Sequence, residues 1–190
     1  MIDKTIKYKN FISFSNWLKE SSENSLFEVG EANVKPYLLE KRSFGEYRFE
    51  TEDGDKYVIH FLNGFWNNQI MAYVSFFTSK KLNNPEKTDY IRVINKGKIF
   101  RILPTVINAI KLFIKDYKKD VKNGFITDPL QYIGIVPAKN DINDDRRLNI
   151  YQAYIKKLLP GIEIIKGKKE TGEDVLIIKV DDIERNNVKR

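Results

Sequence analysis

The chain has 190 residues, a formal net charge of +7 and 42% apolar residues, including 12 Phe and 10 Tyr. It contains no cysteine and a single histidine, His60. This composition excludes disulfides, thiolate zinc sites, a cysteine nucleophile and a metal site built from several histidines. We expect one domain with a sizeable hydrophobic core and no metal site.

The N-terminus, MIDKTIKYKN, lacks the apolar core of a signal peptide, and no apolar run approaches the length that spans a bilayer. We therefore expect a soluble, cytoplasmic protein that is not secreted and does not contact the membrane. The positive charge suits nucleic acid, CoA phosphates or an acidic protein surface. A solvated surface of lysines with interspersed acids explains the same charge.

Residues 1–43 are interpreted as an N-terminal embellishment, helical or irregular. Phe11, Phe14 and Trp17 have helical spacing, whereas Pro36 argues against a continuous helix farther along.

From Phe44 the apolar period changes to two, and Asp53-Gly54 separates two alternating runs, which predicts a β-hairpin. The alternating residues are Tyr47, Phe49, Thr51, Tyr57, Ile59 and Phe61. Asn63-Gly64 predicts a further turn, and residues 70–77 and 89–94 are predicted strands. His60 falls between Ile59 and Phe61, so it should face away from them.

The turn Asn95-Lys96-Gly97 is followed by the longest apolar periodicity in the chain, which predicts a central helix over residues 99–119. Gly124 is expected at the position just after that helix. A strand at 132–136, a helix over 145–159 and a C-terminal β-hairpin follow.

The hairpin strands are expected at Ile162–Ile165 and Val175–Val180, and residues 182–190 are expected to form a polar tail. The central helix should cross between strands 89–94 and 132–136 of a mixed sheet. The predicted class is α+β, or mixed α/β, with one domain over residues 44–181.

This order of elements resembles the GCN5-related N-acetyltransferase (GNAT) fold. In that family a β-meander leads into a helix whose N-terminus holds the acetyl-CoA pyrophosphate, and a strand, a helix and a terminal strand pair follow. The resemblance implies a bound acetyl-CoA as cofactor. It would lie at the turn formed by Asn95, Lys96, Gly97 and Lys98.

The same resemblance implies that Tyr151 or Tyr154 protonates the departing CoA thiolate. A base for the acceptor amine would come from the first hairpin, where Glu46, Glu50 and His60 lie. Tyrosines at helical spacing on an apolar face also serve as packing residues. The family's Q/R-x-x-G-x-G/A signature is not reproduced at Arg92 to Gly97, where a single glycine is present.

A second resemblance rests on Asn95 to Val106, which reads N-x-G-x-x-F-x-I-x-x-T-V, and on Arg147 to Tyr151, which reads R-x-x-I-Y. These patterns are similar to a group of phage proteins. The resemblance implies a phage or prophage origin, a GNAT-like shape, and a place in the infected cell or the virion.

Three residues are candidates for contact with nucleic acid or a protein partner: Arg101, Trp66 and Arg147. The lysines from 111 to 122 add to the basic candidates, but no nucleic-acid recognition motif is present.

Three hypotheses remain open. The first is a non-enzymatic phage protein that uses a GNAT-like domain to bind a phage or host protein. The second is a divergent acetyl-CoA-dependent N-acyltransferase, and the third is a basic nucleic-acid-binding module.

Overall fold

The computed structural model describes residues 35–78, 99–136, 146–169 and 171–188. This part of the chain has a mixed α+β architecture, as the sequence predicts. Its elements, in chain order, are β1 (Glu40–Ser43), β2 (Glu46–Glu50), β3 (Lys56–Trp66), β4 (Gln69–Thr78), α1 (Ile99–Lys122), β5 (Tyr132–Ile135), α2 (Arg146–Leu158), β6 (Ile165–Lys168), β7 (Asp174–Lys179) and α3 (Val180–Val188). None of these three helices is long and apolar enough to cross a membrane.

The seven strands form one sheet in the order β1-β2-β3-β4-β5-β7-β6. β4 and β5 are parallel, and every other neighbouring pair is antiparallel. The mixed sheet is therefore confirmed, but the parallel partner of β5 is β4. The predicted strand at 89–94 lies outside the described residues, as does the predicted helix near residues 11–18.

The β2–β3 hairpin forms as predicted, with Glu50 paired to Lys56 across a turn in which Gly54 has φ +77°. Tyr47, Phe49, Tyr57, Ile59 and Phe61 are all buried on one face. His60 faces the opposite way and is half-buried. Alternation therefore assigned both faces of this hairpin correctly.

The predicted turn at Asn63-Gly64 is wrong, because β3 continues through it to Trp66. The chain reverses instead at Asn67-Asn68, where φ is +50° and +60°. Two left-handed residues between paired strands are typical of a type I′ turn, and Asn tolerates that conformation. Gly64 is required for packing instead. The Tyr73 ring covers Gly64, and a Cβ at this position would lie 2.3 Å from that ring.

Helix α1 is longer than predicted and ends in a Schellman motif. Gly124, with φ +77°, donates to the Val121 carbonyl at 3.1 Å, and Phe125 donates to the Asp120 carbonyl at 2.9 Å. Gly124 is therefore at the position that the sequence indicates. Toward the sheet the helix presents a buried stripe, whose members include Ile102, Val106, Ile110, Phe113 and Tyr117.

The C-terminal hairpin is shifted from its predicted position. Its strands are Ile165–Lys168 and Asp174–Lys179, so residues assigned to a loop belong to the ladder. Two boundaries also differ from the prediction. The sheet begins at Glu40 rather than after residue 44, and residues 182–188, predicted as tail, are helical with Ile183 buried.

All three helices contribute to the core on one face of the sheet. The opposite face carries a smaller cluster, in which Met71, Val175 and Ile177 are buried beneath partly buried aromatic residues such as Trp66 and Tyr73. The Trp66 ring lies against Gly167, where an added Cβ would approach it to 2.7 Å.

That contact requires a curved sheet. β3 and β6 are four positions apart in the strand order. In a flat sheet those strands would be about 19 Å apart, farther than a tryptophan reaches. The sheet must therefore bend or twist enough to bring Trp66 over β6.

We expect Gly167→Ala to destabilise the protein by about 1–3 kcal/mol, because the new methyl overpacks the contact with Trp66. Urea unfolding measures this change. In a Trp66→Leu background the same substitution should cost less, since the indole has gone. Equal costs in both backgrounds would contradict the packing described for this face.

Candidate functional site

The parallel pair defines one end of the sheet as the candidate site. β4 and β5 both end there, and α1 and α2, which follow these strands, both begin there. Contacts confirm the placement: Phe76 near the end of β4 stacks on Tyr151 of α2, with ring centroids 5.9 Å apart. In open α/β sheets, ligands bind outside the carboxyl ends of parallel strands.

β4 extends beyond its parallel partner at this end. The last paired residues are Val74 and Ile135, and Val136 donates to the Val74 carbonyl at 3.3 Å. Because ladder bonds alternate in direction, the N–H and C=O groups of Phe76 and Thr78 point to the side where β5 has ended. No strand among the described residues pairs with them there.

The two candidate acids, Tyr151 and Tyr154, both lie at this end but differ in exposure. Tyr151 is 3% exposed and belongs to the main core, whereas Tyr154 is partly buried and packs against that core. With Leu103 and Ile135 they line an apolar cavity of about 10 Å³. A cavity of that size holds at most one water molecule.

The turn that the sequence assigns to CoA, Asn95, Lys96, Gly97 and Lys98, lies outside the described residues. Arg147 is the second residue of α2, and its side chain is likewise not part of the described structure. These assignments stay predictions. Within the described residues no group of three or more His, Asp or Glu side chains is arranged to hold a metal ion.

Arg101, predicted to contact a ligand or partner, is engaged within the molecule. Its Nε donates to the Lys35 carbonyl at 2.8 Å, and its guanidinium forms an ion pair with Glu52. The same guanidinium lies 4.1 Å from the centre of the Tyr37 ring. Glu52 balances its charge, so Arg101 contributes little to attraction of an external phosphate.

Arg101 belongs to a network, here called the Tyr37 clamp, formed by Lys35, Tyr37, Glu52, Arg101 and Thr105. The Tyr37 N–H donates to Thr105 Oγ1 at 2.8 Å, and the Tyr37 hydroxyl donates to Glu52 at 2.7 Å. Thr105 is fully buried and donates in turn to the Arg101 carbonyl at 2.7 Å. The clamp fixes the segment before β1 onto α1 and the β2–β3 turn.

Sequence reasoning missed the clamp because its members are far apart in the chain. Pro36 gave one usable signal, since a proline restricts the residue before it, here Lys35, to extended backbone.

Trp66, predicted to contact nucleic acid or a partner, is the last residue of β3. Its indole is partly buried against Gly167, so it covers part of the sheet face opposite the helices. The exposed apolar residues of the same strand are Leu62 and Phe65.

The first hairpin places Glu46 beside His60, with Nε2 of the imidazole 3.4 Å from the carboxylate. Arg48 bonds the same carboxylate at 2.7 Å, and this hydrogen bond lowers the pKa of Glu46 from its ordinary value. A carboxylate with a lowered pKa is a weaker base. This arrangement disfavours Glu46 as the group that deprotonates an amine.

Lysines on α1 remain for the nucleic-acid hypothesis. Lys115, Lys119 and Lys122 are exposed, whereas Lys118 forms an ion pair with Glu184 of α3. The last turn of a helix attracts cations through the helix dipole, which accounts for Lys119 and Lys122 without a ligand.

A buried tyrosine links β2 to α1. The Tyr47 hydroxyl donates to Asp116 at 3.2 Å, and Lys41 pairs with the same carboxylate at 2.6 Å. Burial, assisted by the negative charge of Asp116, raises the pKa of Tyr47 well above its ordinary value.

The raised pKa of Tyr47 predicts a loss of stability at alkaline pH. Below the unfolded-state pKa of about 10, the phenol is neutral in both states and its contribution is intact. Above that pH the unfolded chain loses the proton and the folded chain retains it, so the free energy of unfolding falls. Urea unfolding of wild type and Tyr47→Phe between pH 8 and pH 11 should show a shallower fall in the variant. Identical slopes would contradict the assignment.

Removing the buried acceptor of the Tyr37 clamp should destabilise the protein. Thr105→Val keeps the shape but leaves the Tyr37 N–H without its partner, at a cost of about 1–3 kcal/mol. Thr127→Val, at an exposed threonine, is the matched control and should change stability by less than about 0.5 kcal/mol. Equal effects of the two substitutions in urea unfolding would refute the role of the clamp.

Comparison of the chain with protein-family models, with curated proteins and with solved structures found no match.

Proposed function

We propose that this chain is a GNAT-like domain that acts by binding a protein, phage or host, rather than by catalysis. The observation that carries the proposal is the position of Tyr151. Tyr151, one of the two tyrosines that the GNAT resemblance nominates as acid, is 3% exposed and stacked on Phe76. In that position its ring supports the contact between α2 and β4.

The surroundings of Tyr151 add to this support. The adjoining cavity of about 10 Å³ is lined by apolar side chains of α1, α2 and β5, with Tyr154. An acetyl group joined to a thioester needs several times that volume together with an open path. Tyr151 therefore acts as a packing residue in the described conformation.

The order of elements supports the GNAT-like part of the proposal. An antiparallel meander, a helix, a strand parallel to the last meander strand, a second helix and a terminal strand pair follow one another. This is the order that the resemblance implies for the family. Fold alone does not carry an activity, so the proposal concerns architecture and binding.

The end of β4 favours acyl-CoA binding as a second candidate function. The backbone groups of Phe76 and Thr78 point to the open side of the parallel pair, next to the start of α1. Backbone groups at such a position suit an extended, amide-containing ligand. Tyr154, which is partly exposed, would then be the better placed of the two tyrosines.

Calorimetric titration with acetyl-CoA separates the two candidates. The proposed binding role predicts no heat and no shift in the melting temperature. Micromolar binding that Gly97→Val abolishes would overturn it in favour of the acyl-CoA site, because a side chain there blocks close approach of phosphate to backbone. Gly161→Val, at a glycine after α2 with positive φ +76°, controls for general strain.

A further inference from the structure

Within the described part of the chain, one side of the β3–β4 hairpin is an open sheet edge. β2 pairs with β3 only from Lys56 to His60, and the last bond is the Phe61 N–H to the Gly45 carbonyl at 2.8 Å. β3 then continues for five more residues, Leu62–Trp66, with β4 on its other side throughout. Among the described residues nothing pairs with the outer side of Leu62–Trp66, here called the β3 edge.

The backbone groups that point outward from the β3 edge follow from the hairpin register. Trp66 and Gln69 flank the two-residue turn, so the bonds to β4 are made by Trp66 and every second residue before it. Asn63 and Phe65 therefore point their N–H and C=O groups away from β4. Phe61, two residues before Asn63, also points its N–H away from β4, toward the Gly45 carbonyl. This bond supports the assignment independently.

The β3 edge lacks the features that normally prevent edge-to-edge pairing. Natural edge strands carry charges, especially lysine, or proline or a bulge. β1, with the sequence EKRS, and β6, with IKGK, follow that rule. The stretch from Phe61 to Ile70 contains no charged residue and no proline, and Leu62 and Phe65 are 59% and 67% exposed.

We propose that the β3 edge pairs with the same edge of a second copy of this chain, in an antiparallel register centred on Gly64. Asn63 of each copy then lies opposite Phe65 of the other. All the outward N–H and C=O groups of these residues are satisfied, in about four hydrogen bonds across a two-fold axis. The two Gly64 residues face each other at a non-hydrogen-bonded position, where the strands approach most closely.

The length of the β3 edge argues for a second copy as the occupant. In this register the position opposite Phe61 falls on Asn67 of the second copy, the first residue of its turn. Gly45 already occupies the place beside Phe61. The incoming strand therefore ends at the point where Gly45 begins to cover β3. The five unpaired residues of the β3 edge are matched in length by the five residues of the same edge in the second copy. Because the stretch from Phe61 to Ile70 carries no charge, no like charges meet along this edge.

Analytical ultracentrifugation from micromolar to millimolar concentration tests the pairing. We expect a monomer–dimer equilibrium for wild type. Asn63→Pro removes an outward N–H without touching a bond to β4, and proline is tolerated at such edge positions. It should abolish the dimer, whereas Asn63→Ala, which keeps the N–H, should retain it.

A second pair of variants tests the edge by charge. Phe65→Lys should give a monomer, because it places like charges close together across the axis. The control is Phe125→Lys, at a phenylalanine that is 80% exposed and lies away from the β3 edge. This variant should remain dimeric. Circular dichroism checks that each variant is folded.

The register itself is tested by cross-linking, since the chain has no cysteine to interfere. A mixture of Asn63→Cys and Phe65→Cys proteins should form a disulfide dimer, because these positions lie about 5.5 Å apart between Cα atoms in this pairing. Either protein alone should form little, since identical residues are out of register. A wild type that is monomeric throughout, or a dimer that survives both Asn63→Pro and Phe65→Lys, would overturn the proposal. A foreign strand as the true occupant would give the first of these results.

Discussion

The parallel pairing of β4 with β5 is the constraint on which the remaining architecture depends. Parallel neighbours need a connection that returns the chain to the same end of the sheet, and α1 lies in that connection. Its apolar stripe must then cover the strands it crosses, which places Phe113 against Phe61 with ring centroids 4.1 Å apart. The same return brings the start of α1, the start of α2 and the ends of both strands together.

Elements with a strong local signal were predictable from the sequence. The Asp53-Gly54 hairpin, the α1 periodicity and the glycine after α1 depend on neighbours within a few residues. The turn predicted at Asn63-Gly64 is wrong because this dipeptide, although a typical turn signal, lies inside β3. Its glycine is required by Tyr73 on the next strand, and the real turn uses Asn67-Asn68. β6 is four residues long and has one clear apolar residue. One apolar residue is too few to show the alternating pattern by which a strand is predicted.

The candidate site was less predictable, because its contacts join distant parts of the chain. Arg101 is a basic residue near a glycine turn, which locally indicates an anion contact. Its partners, Lys35 and Glu52, are 66 and 49 residues away, so no local pattern reveals them. Helical spacing placed Tyr151 on an apolar face, but its stacking on Phe76 becomes evident only when β4 and α2 are in position.

These observations support the proposed binding role. Tyr151 and Arg101 are engaged inside the molecule, and the apolar side chains that remain exposed on β3 line an edge able to pair with another strand. The most direct measurement is thiol release from acetyl-CoA with a panel of amine acceptors, for wild type, Tyr151→Phe and Tyr154→Phe. The proposed binding role predicts no release above the protein-free rate. Release that either substitution abolishes while the protein stays folded would contradict it and establish an acyltransferase.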